Sequence, residues 1–316
     1  MRVIITGGTG LIGSALAEGL AKDGHEVIVL SRSPGSHDLP PGVRAEKWDG
    51  KTAVSWGHLA DGADAIINLA GENLAGKGLF PTRWTDKRKE RIVRSRLDAG
   101  QAVVEAVEAA SQKPRVVIQS SGTDHYKDVG DEFITEASAP GRHSFLANLT
   151  IDWEASTEPV IAAGVRQIVI RSGAVFSPKS GAFRTLVFPF KFFVGGPLGN
   201  GRQRLSWIHL EDEVRAIRFL LAHETAVGAF NLCAPQPITN GALAKLIGKV
   251  MGRPSFIPVP AFALRLAFGE VADVVLDSRR VLPQRLQELG FTFRYPDPET
   301  AVRDLLDKPA NGPSQS

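Results

Sequence analysis

Two short stretches carry residues whose types and spacing suit a phosphorylated ligand. Thr6-Gly7-Gly8-Thr9-Gly10-Leu11-Ile12-Gly13 follows a β-branched run, Arg2–Thr6, and opens a segment of helical spacing, Leu11–Lys22. Glycine at 7 permits a tight turn, Gly10 lets backbone approach a pyrophosphate, and Gly13 allows close packing of helix on sheet. The helix start adds unpaired N–H groups and the positive end of a dipole. A glycine-rich turn without ligand is the plain alternative, but the strand–turn–helix setting favours a dinucleotide held by Gly7, Thr9, Gly10, Leu11, Ile12 and Gly13. The second stretch closes the next strand, Glu26–Leu30. Ser31-Arg32 stands where an NAD site keeps an acid, and no acid follows until Asp38. Hydroxyl and guanidinium suit a 2′-phosphate, so the pair predicts NADP(H) over NAD(H); a solvated surface arginine is the alternative.

The elements that must position these residues alternate along the chain. Ala65–Leu69, Arg115–Ser120 and Arg166–Arg171 continue the strands. Ser95–Ala110 and about Phe145–Ala163 continue the helices. Near-continuous apolar strands between helices predict a parallel sheet covered on both faces, an α/β doubly wound Rossmann fold. The rhythm changes after about Ser177. Phe183–Pro197 is aromatic and glycine-rich, Ser206–Leu210 reads as a short strand and Glu211–Ala222 as a helix. Gly228–Leu232 is a candidate further strand of the main sheet, and prolines at 254, 258, 260 and 283 divide two or three later helices. The expected organisation is a Rossmann domain over 1–177, completed by 206–233, a smaller C-terminal substrate lobe from 178–205 and 234–307, and a flexible tail, 308–316.

Composition narrows the classes. The chain has 316 residues, 43% hydrophobic and 22% charged, enough for a large core. Thirty-seven basic residues against 34 acidic ones give a formal charge of +3, without the basic blocks of a nucleic-acid binder. The single cysteine, Cys233, allows no internal disulfide and no cysteine metal cluster. No run is long and apolar enough to span a bilayer, and no signal peptide is visible. A cytoplasmic protein with a small-molecule partner, no metal, no nucleic acid and no membrane is the expectation, with a homodimer left open.

With these residues in hand the chain resembles an atypical extended short-chain dehydrogenase/reductase, in an NAD-dependent epimerase/dehydratase-like (nucleoside-diphosphate-sugar epimerase-like) subgroup. The resemblance rests on GGTGLIG at Gly7–Gly13, SR at Ser31–Arg32, NLAGEN at Asn68–Asn73, RWTDKRK at Arg83–Lys89, SR at Ser95–Arg96 and GGPLGNGRQRLSWIHLED at Gly195–Asp212. Arg253–Tyr295 resembles that subgroup's short C-terminal domain of unassigned function. The resemblance implies that Leu69 and Ala70, with Gly71 beside them, line the cofactor, that Arg96 reaches it from the following helix, and that Val175 meets its nicotinamide end. Most charges of the basic stretch from Arg83 to Arg96 read as a solvated helix face.

Oxidising or epimerising members of the family use a Ser or Thr after the fifth strand and a Tyr-x-x-x-Lys on the next helix. Ser121 fits the first role. Aligning Trp153-Glu154 with the family's acidic position puts Leu146 where Tyr stands and Thr150 where Lys stands, a gap the subgroup shares. The subgroup's Gly-Tyr-Tyr-Gly is here Asp124-His125-Tyr126-Lys127, which makes Tyr126 the candidate phenol. His209 is a candidate acid/base, with a packed or capping histidine as the alternative. Arg202 and Arg204 suit a substrate anion or a plain loop surface, and the phenylalanines from Phe183 to Phe193 suit a pocket wall or a core. The expected function is an NADP(H)-binding oxidoreductase or epimerase-like protein lacking the usual pair, or else a catalytically silent NADP(H)-binding regulator.

Overall fold

The structure, a computed structural model, describes residues 1–36, 39–76, 78–179 and 181–307. Asp38 and the expected flexible tail lie outside them. Seven strands form one parallel sheet: β1 (Arg2–Thr6), β2 (Glu26–Ser31), β3 (Val43–Lys47), β4 (Ala65–Asn68), β5 (Val116–Gly122), β6 (Arg166–Ser172) and β7 (Gly228–Leu232). Their order is β7-β6-β5-β4-β1-β2-β3, so the winding reverses between β1 and β4. Open α/β sheets bind ligands in the crevice at the carboxyl end of such a switch point.

Alternation of side chains assigns the two faces. Val3, Ile5, Val27 and Val29 point to one side, where α1 (Leu11–Lys22) packs with a later helix, Leu210–Ala222. Ile4, Ile28, Ile66 and Val117 point to the other, under α2 (Asp86–Ala109). The edge strand β3 was not visible in the sequence because it has no apolar run. Its Arg44, Glu46 and Lys47 are the charges that blunt an open edge against pairing.

The second helix starts nine residues before the predicted Ser95, at Asp86, with Thr85 as its N-cap. Its basic first turns hid the apolar phase. The third, α3 (Phe145–Ala155), stops short of Ala163, and Pro159 sits instead in a separate 3-10 turn, Glu158–Ile161. Proline lacks the N–H a longer helix would need.

Beyond β6 a second core forms. Phe176 stacks on Trp207 with ring centres 5.4 Å apart, and Phe183, Phe190, Leu243, Ile247 and Leu305 close around them. They belong to the short strands Ala174–Phe176 and Trp207–His209, α4 (Ala182–Val187) with the 3-10 turn Phe188–Phe192 after it, α6 (Asn240–Met251), and the last helix, Pro298–Asp307, while α5 (Leu210–Ala222) packs on the main sheet. Helix α7 (Ala261–Phe268) and the segment Gly269–Leu276 lie over the start of α2 through Lys89–Glu270 and the Arg83 bonds to the Leu266 and Ala267 carbonyls.

The first turn is packed backbone against backbone. A Cβ at Gly13 would sit 2.4 Å from the Gly7 carbonyl oxygen and 2.7 Å from the Gly8 Cα, both rigid backbone. Gly13→Ala should therefore destabilise the fold by ~1–3 kcal/mol, the usual cost of overpacking. Urea denaturation checks this, and an unchanged midpoint would mean the turn can relax.

Candidate functional site

The β1–α1 turn depends on missing side chains. Gly7 has φ +67°, and a Cβ there would stand 2.6 Å from the Leu69 carbonyl oxygen and 2.9 Å from the Ala70 nitrogen. Gly8, which the sequence reading passed over, would meet the Val29 methyls at 2.6 Å. Gly10 is the N-cap of α1, with no side-chain cap bond and no acid in the first turn. The first N–H groups of α1 are thus left for an outside acceptor. Thr9 is exposed above the turn; Leu11 and Ile12 are half-buried. Below it, Thr6 Oγ1 donates to Asn68 Oδ1 at 2.6 Å and accepts from the Ala70 N–H at 3.1 Å, while Asn68 Nδ2 donates to Gln119 Oε1 at 2.8 Å. This ladder ties the ends of β1, β4 and β5.

Three further groups surround the turn. Leu11 and Val175 both approach Gly181, whose Cβ would lie 3.6 Å from the Leu11 Cδ2 and from the Val175 carbonyl oxygen. Ser31 is buried and accepts from the Ser33 N–H, whereas Arg32 is exposed, with no ion pair among the described residues. Gly50 leaves room for the stem of Arg32: its Cβ would lie 3.5 Å from the Arg32 Cδ. Arg96 lies inside, 6% exposed. A Cβ on Gly71 would stand 2.8 Å from its Cζ, its guanidinium covers the Trp153 ring at 4.7 Å, and its Nε has no hydrogen-bond partner. Burial lowers its pKa to about 10 against the pull of Glu72. A buried cation without a bonded anion is costly. The basic stretch is therefore not a uniformly solvated face. Arg88 is buried as well, holding the Thr82 and Leu74 carbonyls and so folding the loop after β4.

Ser121, Tyr126 and His209 are not brought together on a cleft. Ser121 Oγ donates to Glu154 Oε1 at 2.6 Å. Glu154 is gripped by Arg171 through two 2.8 Å bonds, and His125 Nδ1 lies 3.2 Å away. Burial pushes this carboxyl up, but His125 and Arg171 outweigh it and hold its pKa at about 2. Tyr126 is fully buried, donates to Asn231 Oδ1 and accepts from Arg171, each at 2.8 Å. Its pKa is pushed to about 12 by burial, partly offset by Arg171. His209 caps α5, its Nδ1 accepting from the Glu211 N–H at 3.1 Å, and its Nε2 lies 3.3 Å from Asp304 Oδ2. His209 thus caps α5, and Ser121 and Tyr126 hold bonded, buried positions. The sequence signal that could have found this centre was the set of polar residues at strand ends and within helices, Glu154 and Arg171 above all.

A cavity of about 480 Å³ opens instead between α2, the start of α3 and the C-terminal lobe, lined by Trp84, Asp124, His143, Leu146 and Arg279 among others. None of Ser121, Tyr126, His209, Trp207 or Arg202 lines it. Phe183 and Phe190 belong to the second core, while Phe192 and Phe193 are exposed. Arg204 is paired with Asp131. Another hollow, about 530 Å³, lies among Met1, His25 and Phe291, at the opposite end of the strands. Among the described residues no acidic, histidine or cysteine cluster could hold a metal ion, and no helix is long and apolar enough to cross a membrane.

A seven-stranded parallel sheet whose winding reverses beside a glycine turn and an uncapped helix start defines a Rossmann-type protein. Residues 3–233 match the NAD dependent epimerase/dehydratase family, and residues 259–305 match a domain of unknown function, DUF1731. The chain belongs to the NAD dependent epimerase/dehydratase family, as its extended short-chain dehydrogenase/reductase pattern anticipated. It is 34% identical over 315 residues to the epimerase family protein YfhF of Bacillus subtilis, covering 97% of this chain and 98% of that one. It is 34% identical over 312 residues to the mouse epimerase family protein SDR39U1, covering 97% and 100%. The crystal structure of human SDR39U1 (isoform 2) with NADPH superposes with a TM-score of 0.87 at 32% identity, over 97% of this chain and 99% of that one.

One buried acid stands apart from these networks. Glu213 is fully buried, with Oε1 accepting from Ser172 Oγ at 2.5 Å and Oε2 lacking a hydrogen-bond partner. Burial raises its pKa to about 8 despite the Ser172 bond. The folded state thus holds a proton that the unfolded chain releases near pH 4.3. The stability it contributes is complete below that value and is lost as pH rises through about 8. Glu213→Gln, which stays neutral, should remove this slope, worth on the order of 2–5 kcal/mol between about pH 5 and about pH 9. Urea melts across that range check it; equal slopes in both proteins would mean Glu213 is not the titrating group.

Proposed function

We propose that the chain binds NADP(H) in the crevice between β1 and β4 and acts on a small molecule as an oxidoreductase or epimerase-like enzyme without the usual tyrosine–lysine relay. The observation that carries the reading is Arg32, an exposed guanidinium beyond β2 with no ion pair among the described residues, where an acid would select NAD(H). The open start of α1 and the glycine cradle suit a pyrophosphate, Ser31 and Arg32 suit the 2′-phosphate, and Leu69, Ala70, Gly71 and Arg96 form the facing wall. The orphan Nε of buried Arg96 fits an anionic neighbour. Val175 closes the nicotinamide end. When bound, such a cofactor supplies or removes a hydride. The human relative solved with NADPH supports this choice of cofactor.

Leu146 lines the cavity where the resemblance expects a phenol, and the Thr150 hydroxyl bonds back to the Ala147 carbonyl at 2.9 Å. Neither moves a proton. The cavity of about 480 Å³ is the size of a small-molecule site, which favours the enzyme reading. The regulator reading is supported by exposed apolar side chains, with Phe192, Phe193, Phe256, Phe262 and Leu266 all more than half exposed. Molecules that stabilise the protein only when NADPH is present would decide between them.

The cofactor assignment has a direct test. Arg32→Ala should weaken NADPH binding by on the order of 1.5–3 kcal/mol and leave NADH unchanged, because only the 2′-phosphate contact is lost. Fluorescence titration of both cofactors against both proteins measures it. Equal NADPH and NADH affinity in the wild type would refute the assignment.

A further inference from the structure

The cavity beside Leu146 has a wall of ion pairs and two residues outside them. Lys89 Nζ meets Glu270 at 2.6 Å, Arg265 meets Asp273 at 3.1 Å, and Arg279 spans Asp124 at 3.0 Å and Asp277 at 2.8 Å. Each carboxylate of the lining therefore already meets a cation, with Asp124 and Asp277 sharing Arg279. Arg142, on the same lining, makes no hydrogen bond or ion pair among the described residues. Next to it, His143 Nδ1 lies 3.0 Å from the Gly141 carbonyl oxygen. A carbonyl only accepts, so the ring proton sits on Nδ1 and a neutral imidazole keeps a lone pair on Nε2. The lining thus combines a fixed unpaired charge with a nitrogen able to exchange a proton, beside a leucine that can do neither.

We infer that Arg142 and His143 form the recognition site for a small molecule that carries a carboxylate or phosphate next to a hydroxyl or carbonyl oxygen. This rests on the small-molecule reading proposed above. The Arg142 guanidinium takes the anionic group, for which its planar fork is suited. Nε2 of His143 accepts the proton of the neighbouring hydroxyl, or returns it to a carbonyl oxygen that is gaining charge. The pair makes and breaks only N–H and O–H bonds. In this arrangement a histidine on the loop before α3 does the proton handling that the position of Leu146 on the helix does not.

The test uses malonate and inorganic phosphate, titrated separately into the full-length protein with saturating NADPH so that the cofactor's own phosphate contacts are occupied. The readout is the His143 ring Cε1–H signal in 13C-edited NMR, assigned by its absence in His143→Gln. At least one probe should move this signal saturably, and Arg142→Gln should weaken that probe roughly tenfold or more, as expected for a lost charge-assisted hydrogen bond. Melting temperature and NADPH affinity should stay at the wild-type values. Response to malonate alone assigns a carboxylate, to phosphate alone a phosphate, and to both the shared anion chemistry. No saturable shift with either probe, or a shift that Arg142→Gln leaves intact, overturns the proposal. Failure of the NADP(H) reading appears separately, as absent NADPH binding by the wild type; the same titrations into cofactor-free protein then decide this proposal by the same two outcomes.

Discussion

The rest of the structure depends on backbone meeting backbone at the β1–α1 turn. Positions 7, 8 and 13 leave no free space for a side chain because the Leu69 carbonyl, the Val29 methyls and the turn itself occupy it. The turn is therefore wedged between β2 and β4, the two strands that flank β1. That wedge aims the uncapped start of α1 into the crevice. It also fixes, through parallel registers, where the next groups emerge: Thr6 pairs with Leu30 on one side and Asn68 on the other, so Arg32 and Gly71 leave the sheet on either side of the same spot. The Thr6–Asn68–Gln119 ladder extends this registration to β5 without exposing a polar atom.

A second constraint is the buried Glu154–Arg171 pair. Burying two charges costs several kcal/mol each, and only good geometry with further hydrogen bonds offsets that. Here the further bonds come from Ser121 and Tyr126, which is why those hydroxyls are committed. Asn231 passes the connection on, from the Tyr126 hydroxyl to the Leu282 carbonyl. The network braces β5, β6 and β7 against the C-terminal lobe. A hydroxyl whose proton and lone pairs are bound in such a brace is poorly placed to exchange a proton with a ligand.

Much of this was legible in the sequence, and the exceptions have physical causes. The apolar strands and the glycine turn were readable because a sheet buried on both faces needs continuous β-branched runs, and a phosphate-type turn needs glycine. The edge strand Val43–Lys47 escaped because an edge favours charges over apolar residues. The early start of α2 escaped because its first turns are basic, and the burial of Arg88 and Arg96 contradicts what charge alone suggests. The roles of Ser121, Tyr126 and His209 could not be read locally, since their partners Glu154, Asn231 and Asp304 lie 33, 105 and 95 positions away along the chain. That Arg142 has no partner among the described residues was equally hidden, because it depends on which other charges of the cavity find each other.

The spacing on α3 brings these points together. Leu146, Thr150 and Glu154 are four residues apart and share one face of the helix, which in the resembled enzymes presents a phenol and an ammonium. Here the first position is apolar and lines the cavity, and the second bonds its own backbone. The third carries the only charge of the three, roughly 12 Å along the axis from the first at ~1.5 Å per residue, and spends it on Arg171 inside the protein. One end of the face is an apolar wall and the other a brace, and the hydroxyl between them is bonded to its own helix. Leu146 therefore gives the cavity an apolar wall, while the loop before the helix brings Arg142 and His143 to the same lining.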